Sequence, residues 1–300
     1  MKFLTLSEQD RQLLLHLQRH IYLSKEFIDT YIYNDPNDEA AVKAHERSVY
    51  RRLNKLEEAE YITSFPVPIK KNSKRPSNIY TLTKFGVEIV KEMTGDELLY
   101  WQSKWSLEPQ IWYMHTLTLA EVVKNFEIKA PKAFVVKEFI PETRAHYDYY
   151  ETENGQPKRH CIRPDGILVI GPPNSEENWG LMLEMERSYG SRAGTLRKLA
   201  QYNHFFRGVN SDKEYEYKAY QERMAEFDLK IAFEHPVDID SWRILFIGNN
   251  DSMGDNIINS HLRGQQSEVK LVAAPKDAII NTPYENVYRS LEEPEVLGGF

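Results

Sequence analysis

Residues 42–58 read VKAHERSVYRRLNKLEE and decide the fold of the first part of the chain. In a helix, four apolar residues of this stretch fall on one narrow stripe: Val42, Val49, Leu53 and Leu56. The other side of the same helix carries mostly basic residues: Lys43, Arg47, Arg51, Asn54 and Lys55. We therefore expect a helix from about residue 38 to residue 58, with one face in a core and one basic face.

Two shorter helices are predicted before it. Ser7 is an N-cap followed by acidic residues, and Leu13, Leu14 and Leu17 then recur at helical spacing. Ser24 caps a second helix, which Pro36 ends because proline cannot continue a helix.

A hairpin is predicted after the basic helix. Residues 61–65 and 79–82 are rich in β-branched and aromatic side chains, as strands are. The polar loop between them carries four cations: Lys70, Lys71, Lys74 and Arg75. Three helices and such a hairpin predict a winged helix-turn-helix, in which the third helix enters a DNA major groove and the wing lies along phosphates.

Arg47, Arg51 and Arg52 are the candidates for contacts to base edges or phosphates, and Lys43 and Lys55 extend the same surface. The alternative is that helix and loop are solvated charged surfaces without a partner. The charge distribution favours double-stranded DNA as the partner. Residues 1–95 hold 15 Lys and Arg against 13 Asp and Glu, whereas the rest holds 23 against 32, within a net charge of −7.

We divide the chain into a DNA-binding domain (1–95), a helical connector (96–130), an α/β domain (131–275) and a C-terminal tail (276–300). The connector is rich in aromatic residues, which are typical of a core or of an interface such as that of a homodimer. The tail is expected to be partly disordered or to contact a partner. No segment of about 18 apolar residues is present, so we expect a cytoplasmic protein without membrane contact.

The α/β domain is predicted from strands at about 133–139, 162–170 and 179–187, a helix at 192–206, and later strands at 243–247 and 269–272. Strands mixed with helices in this way predict a central mixed sheet. Asp165 begins the second of these strands, and Glu184 and Glu186 share a face of the third because side chains alternate. If the two strands pair, three carboxylates converge and favour a hard divalent cation, Mg²⁺ or Mn²⁺. The alternative is that these acids are surface residues paired with Arg163 and Arg187.

Several motifs resemble the replication-relaxation family of plasmid and mobile-element proteins. They are Arg163-Pro164-Asp165-Gly166, the strand Leu183-Glu184-Met185-Glu186-Arg187 and KLAQY at residues 198–202. The opening LSEQDRQLLLHL and the segment Tyr80-Thr81-Leu82-Thr83-Lys84-Phe85-Gly86, similar to the family's Y-x-L-T-x-x-G, support it. The resemblance implies a winged helix joined to a domain of the PD-(D/E)XK restriction-endonuclease fold, as in the MobC class of relaxases.

The resemblance also implies roles for single residues. Asp165 matches the metal-binding aspartate and Glu184 the second acid, whereas Glu186 stands where the motif has lysine. Lys198 on the following helix is a substitute for that lysine, although its helical phase, opposite Leu199 and Ala200, weighs against it. His115 and Glu121, on the helix before the sheet, are candidates to complete the site.

The function expected is that of a metal-dependent relaxase or nickase in plasmid transfer or replication, acting with other replication or transfer proteins. The nucleophile is a metal-activated oxygen or a tyrosine such as Tyr189. The alternatives are a non-catalytic DNA-binding accessory protein or transcriptional regulator with a degenerate nuclease-like domain, and a scaffold that binds only protein.

Overall fold

The computed structural model describes residues 4–33, 42–68, 76–97, 99, 101–110, 112–153, 155–186, 191–233, 239 and 241–299. Its contacts divide the chain into two compact units, Met1–Glu121 and Val122–Phe300. The division falls within the predicted connector, in a helix that runs from Tyr113 to Ile128. No helix in the described ranges is both long and apolar enough to cross a membrane.

The first unit consists of helices with a small antiparallel sheet. In chain order its elements are α1 (Glu8–His20), β1 (Leu23–Ser24), α2 (Lys25–Tyr31), α3 (Val42–Glu58), β2 (Ile62–Val67), β3 (Ser77–Leu82) and α4 (Lys84–Thr94). The strands lie in the order β1-β3-β2. The three predicted helices and the two predicted hairpin strands are thereby confirmed.

Local sequence explains where these helices begin. Ser7 accepts a hydrogen bond from the backbone of Asp10, whose side chain in turn accepts from the Ser7 backbone, which forms a capping box. Ser24 and Thr83 cap α2 and α4 through their hydroxyl groups. In α3, Val49, Leu53 and Leu56 are buried as predicted, while the side chain of Val42 lies outside the description.

The aromatic connector contributes to the core of the first unit. Trp105, in a 3-10 turn at Ser103–Ser106, is buried and packs in one cluster with Tyr22, Val67 and Ile79. Its backbone carbonyl accepts a hydrogen bond from the Tyr22 hydroxyl at 3.1 Å. This buried position agrees with the core interpretation of the aromatic stretch and leaves the homodimer untested.

The second unit is built on a mixed sheet of seven strands. Helix α5 (Tyr113–Ile128) spans the division between the units. The elements that follow it in chain order are β4 (Val135–Pro141), α6 (Glu142–Ala145), β5 (Tyr147–Glu153), β6 (Gln156–Ile162), β7 (Gly166–Gly171), β8 (Trp179–Glu186), α7 (Arg192–Phe206), α8 (Glu214–Ile231), β9 (Ser241–Gly248), α9 (Asp251–Asn256), β10 (Lys270–Pro275), α10 (Lys276–Asn281), β11 (Tyr288–Ser290) and β12 (Leu297–Gly298). The strand order is β12-β11-β10-β9-β8-β7-β4.

Strand direction changes at the centre of this sheet. β4, β7 and β8 form an antiparallel run, and β9 then joins β8 in parallel after a connection that contains α7 and α8. β10 is parallel to β9. Every residue of β7 is buried, as expected of a strand covered on both faces. The predicted central mixed sheet is thus confirmed.

The structure corrects three expectations. The strand expected over residues 162–170 is interrupted, because Pro164 has no N–H to donate, and it is divided between β6 and β7. The hairpin β5–β6 and helix α8 were not predicted at all. The tail expected to be partly disordered instead holds α10, β11 and β12, and its two strands extend the sheet.

Candidate functional site

Asp165 and Glu184 lie side by side where β7 meets β8. The two strands are antiparallel with Gly166 opposite Leu183, so Asp165 stands next to Glu184 on the neighbouring strand. The Asp165 backbone N–H donates to the Leu183 carbonyl at 2.9 Å. The Met185 N–H donates to Asp165 Oδ2 at 2.6 Å, which fixes this carboxylate against β8. The two acidic strands thus pair, which was the condition for Asp165 to approach Glu184.

Glu184 is buried, with only 2% of its surface exposed. Its Oε1 atom accepts a hydrogen bond from the hydroxyl of Tyr202, and its Oε2 atom lies 2.7 Å from Lys198 Nζ. Both partners come from α7, and they are one helical turn apart. A buried carboxylate needs such partners, because without them the loss of hydration is strongly unfavourable.

Lys198 bridges two of the predicted acids. Its Nζ atom lies 3.0 Å from Glu186 Oε1, in addition to the contact with Glu184. The prediction that Lys198 lies on the side of α7 away from the acids is wrong. Lys198 is three residues after Thr195 and four before Tyr202, and both of these are buried, so all three share the covered side of α7.

The charges in this cluster shift each other's pKa values. Burial, reinforced by the negative charge of Asp165 and opposed by Lys198, raises the pKa of Glu184 to about 7. Burial lowers the pKa of Lys198, but Glu184 and then Glu186 outweigh that effect and hold it above the usual value. Burial and the Glu184 charge raise the pKa of the Tyr202 phenol, which stays a donor. The site thus combines a lysine that stays charged with a glutamate whose pKa is raised to about 7.

Carboxylate oxygens, such as those of Asp165, Glu184 and Glu186, are the type of ligand that Mg²⁺ or Mn²⁺ prefers. Among the described residues, no group of three or more acidic, histidine or cysteine side chains is arranged to hold a metal ion. Here Lys198 contacts Glu186 and one oxygen of Glu184. Metal ligation by the three acids stays a prediction.

Other predicted site residues lie elsewhere. His115 and Glu121 are half-buried on α5 in the unit that ends at Glu121, so their part in the acidic site stays a prediction. Tyr189 and Arg187 lie outside the described residues. Tyr202 was missed as a site residue, although KLAQY contained the signal: a tyrosine four residues after a lysine shares its helix face.

The exposed side of α3 carries the candidate DNA-binding residues. Arg47, Arg51 and Lys55 are exposed there, on the face opposite Leu53. None of the three makes an ion pair with another residue that the structure describes. The side chain of Lys43 and the loop residues Lys70, Lys71, Lys74 and Arg75 lie outside the description.

Arg52, unlike Arg47 and Arg51, is hydrogen-bonded to other residues of the first unit that the structure describes. Its Nε atom donates to Asp10 Oδ1 at 2.8 Å, and one terminal nitrogen donates to the Thr5 carbonyl at 2.7 Å. Asp10 is fully buried and accepts from Ser7 and Tyr33 as well. Arg52 therefore holds α3 to α1, and its contact with DNA stays a prediction.

The chain is thus of the mixed α+β class, with a helical unit that presents exposed cations and a sheet unit that carries a buried acid and lysine cluster. Residues 14–217 match the model of the family described as Replication-relaxation, and the chain belongs to that family. Membership implies a protein related to plasmid replication or relaxation. No curated protein and no solved structure gave a match.

Proposed function

We propose that this protein binds double-stranded DNA through its first unit and cleaves one strand at a divalent-metal site in its second unit, as a relaxase or nickase. The single observation that carries the catalytic part is the position of Lys198, within 2.7 Å of Glu184 and 3.0 Å of Glu186. It restores an ammonium group to a site whose expected motif lysine is replaced by Glu186.

The element order of the first unit supports a winged helix-turn-helix. A helix, a short strand, two helices and a two-stranded hairpin follow each other, and β1 pairs with β3. In this arrangement α3 is the helix that enters the major groove, with Arg47, Arg51 and Lys55 toward the DNA. The loop between β2 and β3, with its four cations, is the proposed wing.

The second unit supports a PD-(D/E)XK-like assignment in the same way. Three antiparallel strands are followed by α7, α8 and the parallel strand β9, and Asp165, directly before β7, stands next to Glu184 of β8. This assignment places the proposed chemistry at the junction of β7, β8 and α7.

Each residue then has a defined role. Asp165, Glu184 and Glu186 would hold the divalent cation, which when bound would activate an oxygen nucleophile and stabilise negative charge on the phosphodiester. Lys198 places its ammonium where it can bind the nucleophile or a phosphate oxygen. Tyr202 fixes the orientation of the Glu184 carboxylate.

The experiment uses supercoiled plasmid with Mg²⁺ or Mn²⁺ and follows the open-circular product. The native protein is expected to nick the plasmid, and Glu184→Gln to reduce the rate at least about 100-fold, since a metal-binding group is removed. Glu176→Gln is the matched control because Glu176 is an exposed glutamate in the loop before β8. Equal nicking by native protein and Glu184→Gln would refute the catalytic proposal.

The product also identifies the nucleophile. Attack by a tyrosine such as Tyr189 leaves the protein joined to one DNA end, so that denatured samples show a protein band that carries labelled DNA. Attack by water leaves no such adduct.

A second candidate function is that of a non-catalytic DNA-binding accessory protein or regulator. The ion pairs of Lys198 with Glu184 and Glu186 favour it, because they neutralise part of the acidic cluster without any cation. Lys198→Met separates the candidates. Loss of nicking with Mn²⁺ binding retained supports catalysis, whereas a native protein that binds duplex DNA but does not nick it supports the accessory role.

The proposed partners are double-stranded DNA, other replication or transfer proteins and a second copy of the chain. Helix-turn-helix proteins commonly bind paired half-sites as dimers. Light scattering of the full chain, with and without duplex DNA, tests whether a homodimer forms.

A further inference from the structure

The hairpin β5–β6 has one face turned to the core of its unit. The register pairs Tyr147 with Ile162 and Tyr149 with His160, and directly paired residues share a face. Tyr147 and Tyr149 are buried, and both rings pack edge-on against Phe205 of α7. The hairpin is therefore fixed in place by its tyrosines.

The opposite face of the hairpin is exposed. It carries Tyr150, directly across from Arg159, both exposed, and Asp148, directly across from Cys161, both half-buried. Tyr150 is 69% exposed, which is unusual for a tyrosine in a paired strand. Arg163 follows at the end of β6 and is also exposed.

This face carries more positive than negative charge. Arg159 donates to Asp148 Oδ2 at 2.8 Å, and Arg163 lies 3.9 Å from Asp148 Oδ1, so two guanidinium groups share one carboxylate. The nearest other acid of β5, Glu151, belongs to the opposite face and is bound by Arg223 and Arg207. Among the hairpin residues that the structure describes, one guanidinium charge is thus left uncompensated beside an exposed aromatic ring.

The face adjoins the acidic site. Arg163 precedes Asp165 by two residues, and Cys161 lies 3.9 Å from Gln201, the α7 residue directly before Tyr202. The acids of that site repel phosphate, so a nucleic acid backbone that approaches them needs cations close by.

We propose that the exposed face of β5–β6 binds single-stranded DNA, with a base stacked on Tyr150 and phosphates bound by Arg159 and Arg163. In a duplex the faces of the bases are covered by their neighbours, so an exposed tyrosine can stack only on an unpaired base. The inference rests on the proposed function, in which one strand is cleaved and has to be held near Asp165.

The experiment measures fluorescence anisotropy of labelled oligothymidine with the full chain, in EDTA so that no cleavage occurs. The parent chain of this experiment carries Arg47→Ala and Arg51→Ala, and every variant is made in it. Binding of DNA by α3 then does not obscure binding by the hairpin. Tyr150→Ala is expected to weaken binding roughly 5- to 150-fold, which corresponds to the loss of one stacked base. Arg159→Ala and Arg163→Ala are each expected to reduce the salt slope of log K by about 0.7, which corresponds to one phosphate contact.

Tyr215→Ala is the matched control, because Tyr215 is also 69% exposed, on α8, and lies beside Lys213. It is expected to bind oligothymidine as the parent does. Unfolding midpoints verify that all variants fold, which the exposure of these residues leads us to expect.

Binding of oligothymidine by Tyr150→Ala with the affinity of the parent overturns the inference. The inference is also overturned if Arg159→Ala and Arg163→Ala weaken binding of duplex DNA as much as binding of oligothymidine, because the two arginines would then bind any DNA backbone. Duplex binding and plasmid nicking are measured separately on the chain with native Arg47 and Arg51. If that chain neither binds duplex DNA nor nicks plasmid, while the hairpin variants still weaken oligothymidine binding, the proposed function is wrong and the hairpin inference stands.

Discussion

Asp10 and Arg52, 42 residues apart in sequence, form an ion pair that joins α1 to α3. Asp10 is fully buried, and Arg52 keeps only part of its side chain in solvent. One of the arginines of the basic helix thus has a structural role, whereas Arg47, five residues earlier, is exposed. The two arginines allow DNA binding and folding to be separated by single substitutions.

Arg52→Met is expected to destabilise the protein by about 3 kcal/mol, because it leaves a buried carboxylate without its partner charge. Arg47→Met is expected to leave stability within about 0.5 kcal/mol of the native value and to weaken duplex DNA binding. Urea unfolding and anisotropy with labelled duplex provide the two measurements. An Arg52→Met protein as stable as the native one would contradict the assignment.

Acid is expected to weaken the same contact. Burial raises the pKa of Asp10, but the hydrogen bonds from Arg52, Ser7 and Tyr33 outweigh burial and hold the pKa below its usual value. A lowered pKa in the folded state stabilises the protein above the pKa of the unfolded chain, near 3.9, and this stability is lost as pH falls through the folded pKa. The difference in unfolding free energy between native protein and Asp10→Asn should therefore be constant above about pH 5 and shrink below pH 4. A difference that does not change with pH would show that folding leaves the pKa of Asp10 unshifted and would contradict this prediction.

Gly86→Ala is expected to destabilise the protein by about 1–3 kcal/mol, because a Cβ at this position would lie 1.9 Å from the Tyr61 carbonyl oxygen. The same change at Gly194 in α7 meets its nearest atom, Ser191 Oγ, at 3.4 Å and should be neutral or stabilising by roughly 0.4–1 kcal/mol. Thermal unfolding of the two variants gives the comparison. If Gly194→Ala were the more destabilising of the two changes, α4 would be able to move away from β2 without loss of stability.

Tyr202→Phe removes the hydroxyl that donates to Glu184 while it keeps the buried ring. We expect Mn²⁺ binding to weaken roughly 10- to 100-fold, as is usual when a group that orients a metal ligand is lost. Titration calorimetry measures this without any need for turnover. Tyr147→Phe is the control, since Tyr147 is also buried and donates to a glutamate, Glu226, at 3.1 Å. Equal Mn²⁺ affinities of Tyr202→Phe and the control would contradict a positioning role.

The features that sequence predicted well depend on local periodicity. Val49, Leu53 and Leu56 are buried because helical spacing puts them on one side of α3, and Asp165 meets Glu184 because β7 and β8 are neighbours joined by a short loop. The central mixed sheet follows from strands of continuous apolar residues, which are recognisable without any knowledge of their partners.

The features that sequence missed depend on contacts that no local pattern carries. Arg52 has the same spacing as a DNA-binding arginine, and only the folded chain brings Asp10 to it. The hairpin β5–β6 has polar and charged residues in both strands, and the tyrosines that fix it require α7 to be in place. The metal site and the DNA surface stay predictions, because their partners are not protein.

Lys198 and Tyr202 reach the carboxylate of Glu184 from the same helix, one turn apart, whereas the acids belong to the sheet. The charge balance of the cluster is therefore a property of the interface between α7 and β8. Displacement of α7 by a few ångströms would remove both donors together and leave Asp165, Glu184 and Glu186 to repel one another. The neutralisation of these acids therefore depends on how α7 packs against the sheet, so that core residues of α7 far from any charge also determine the electrostatics of the cluster.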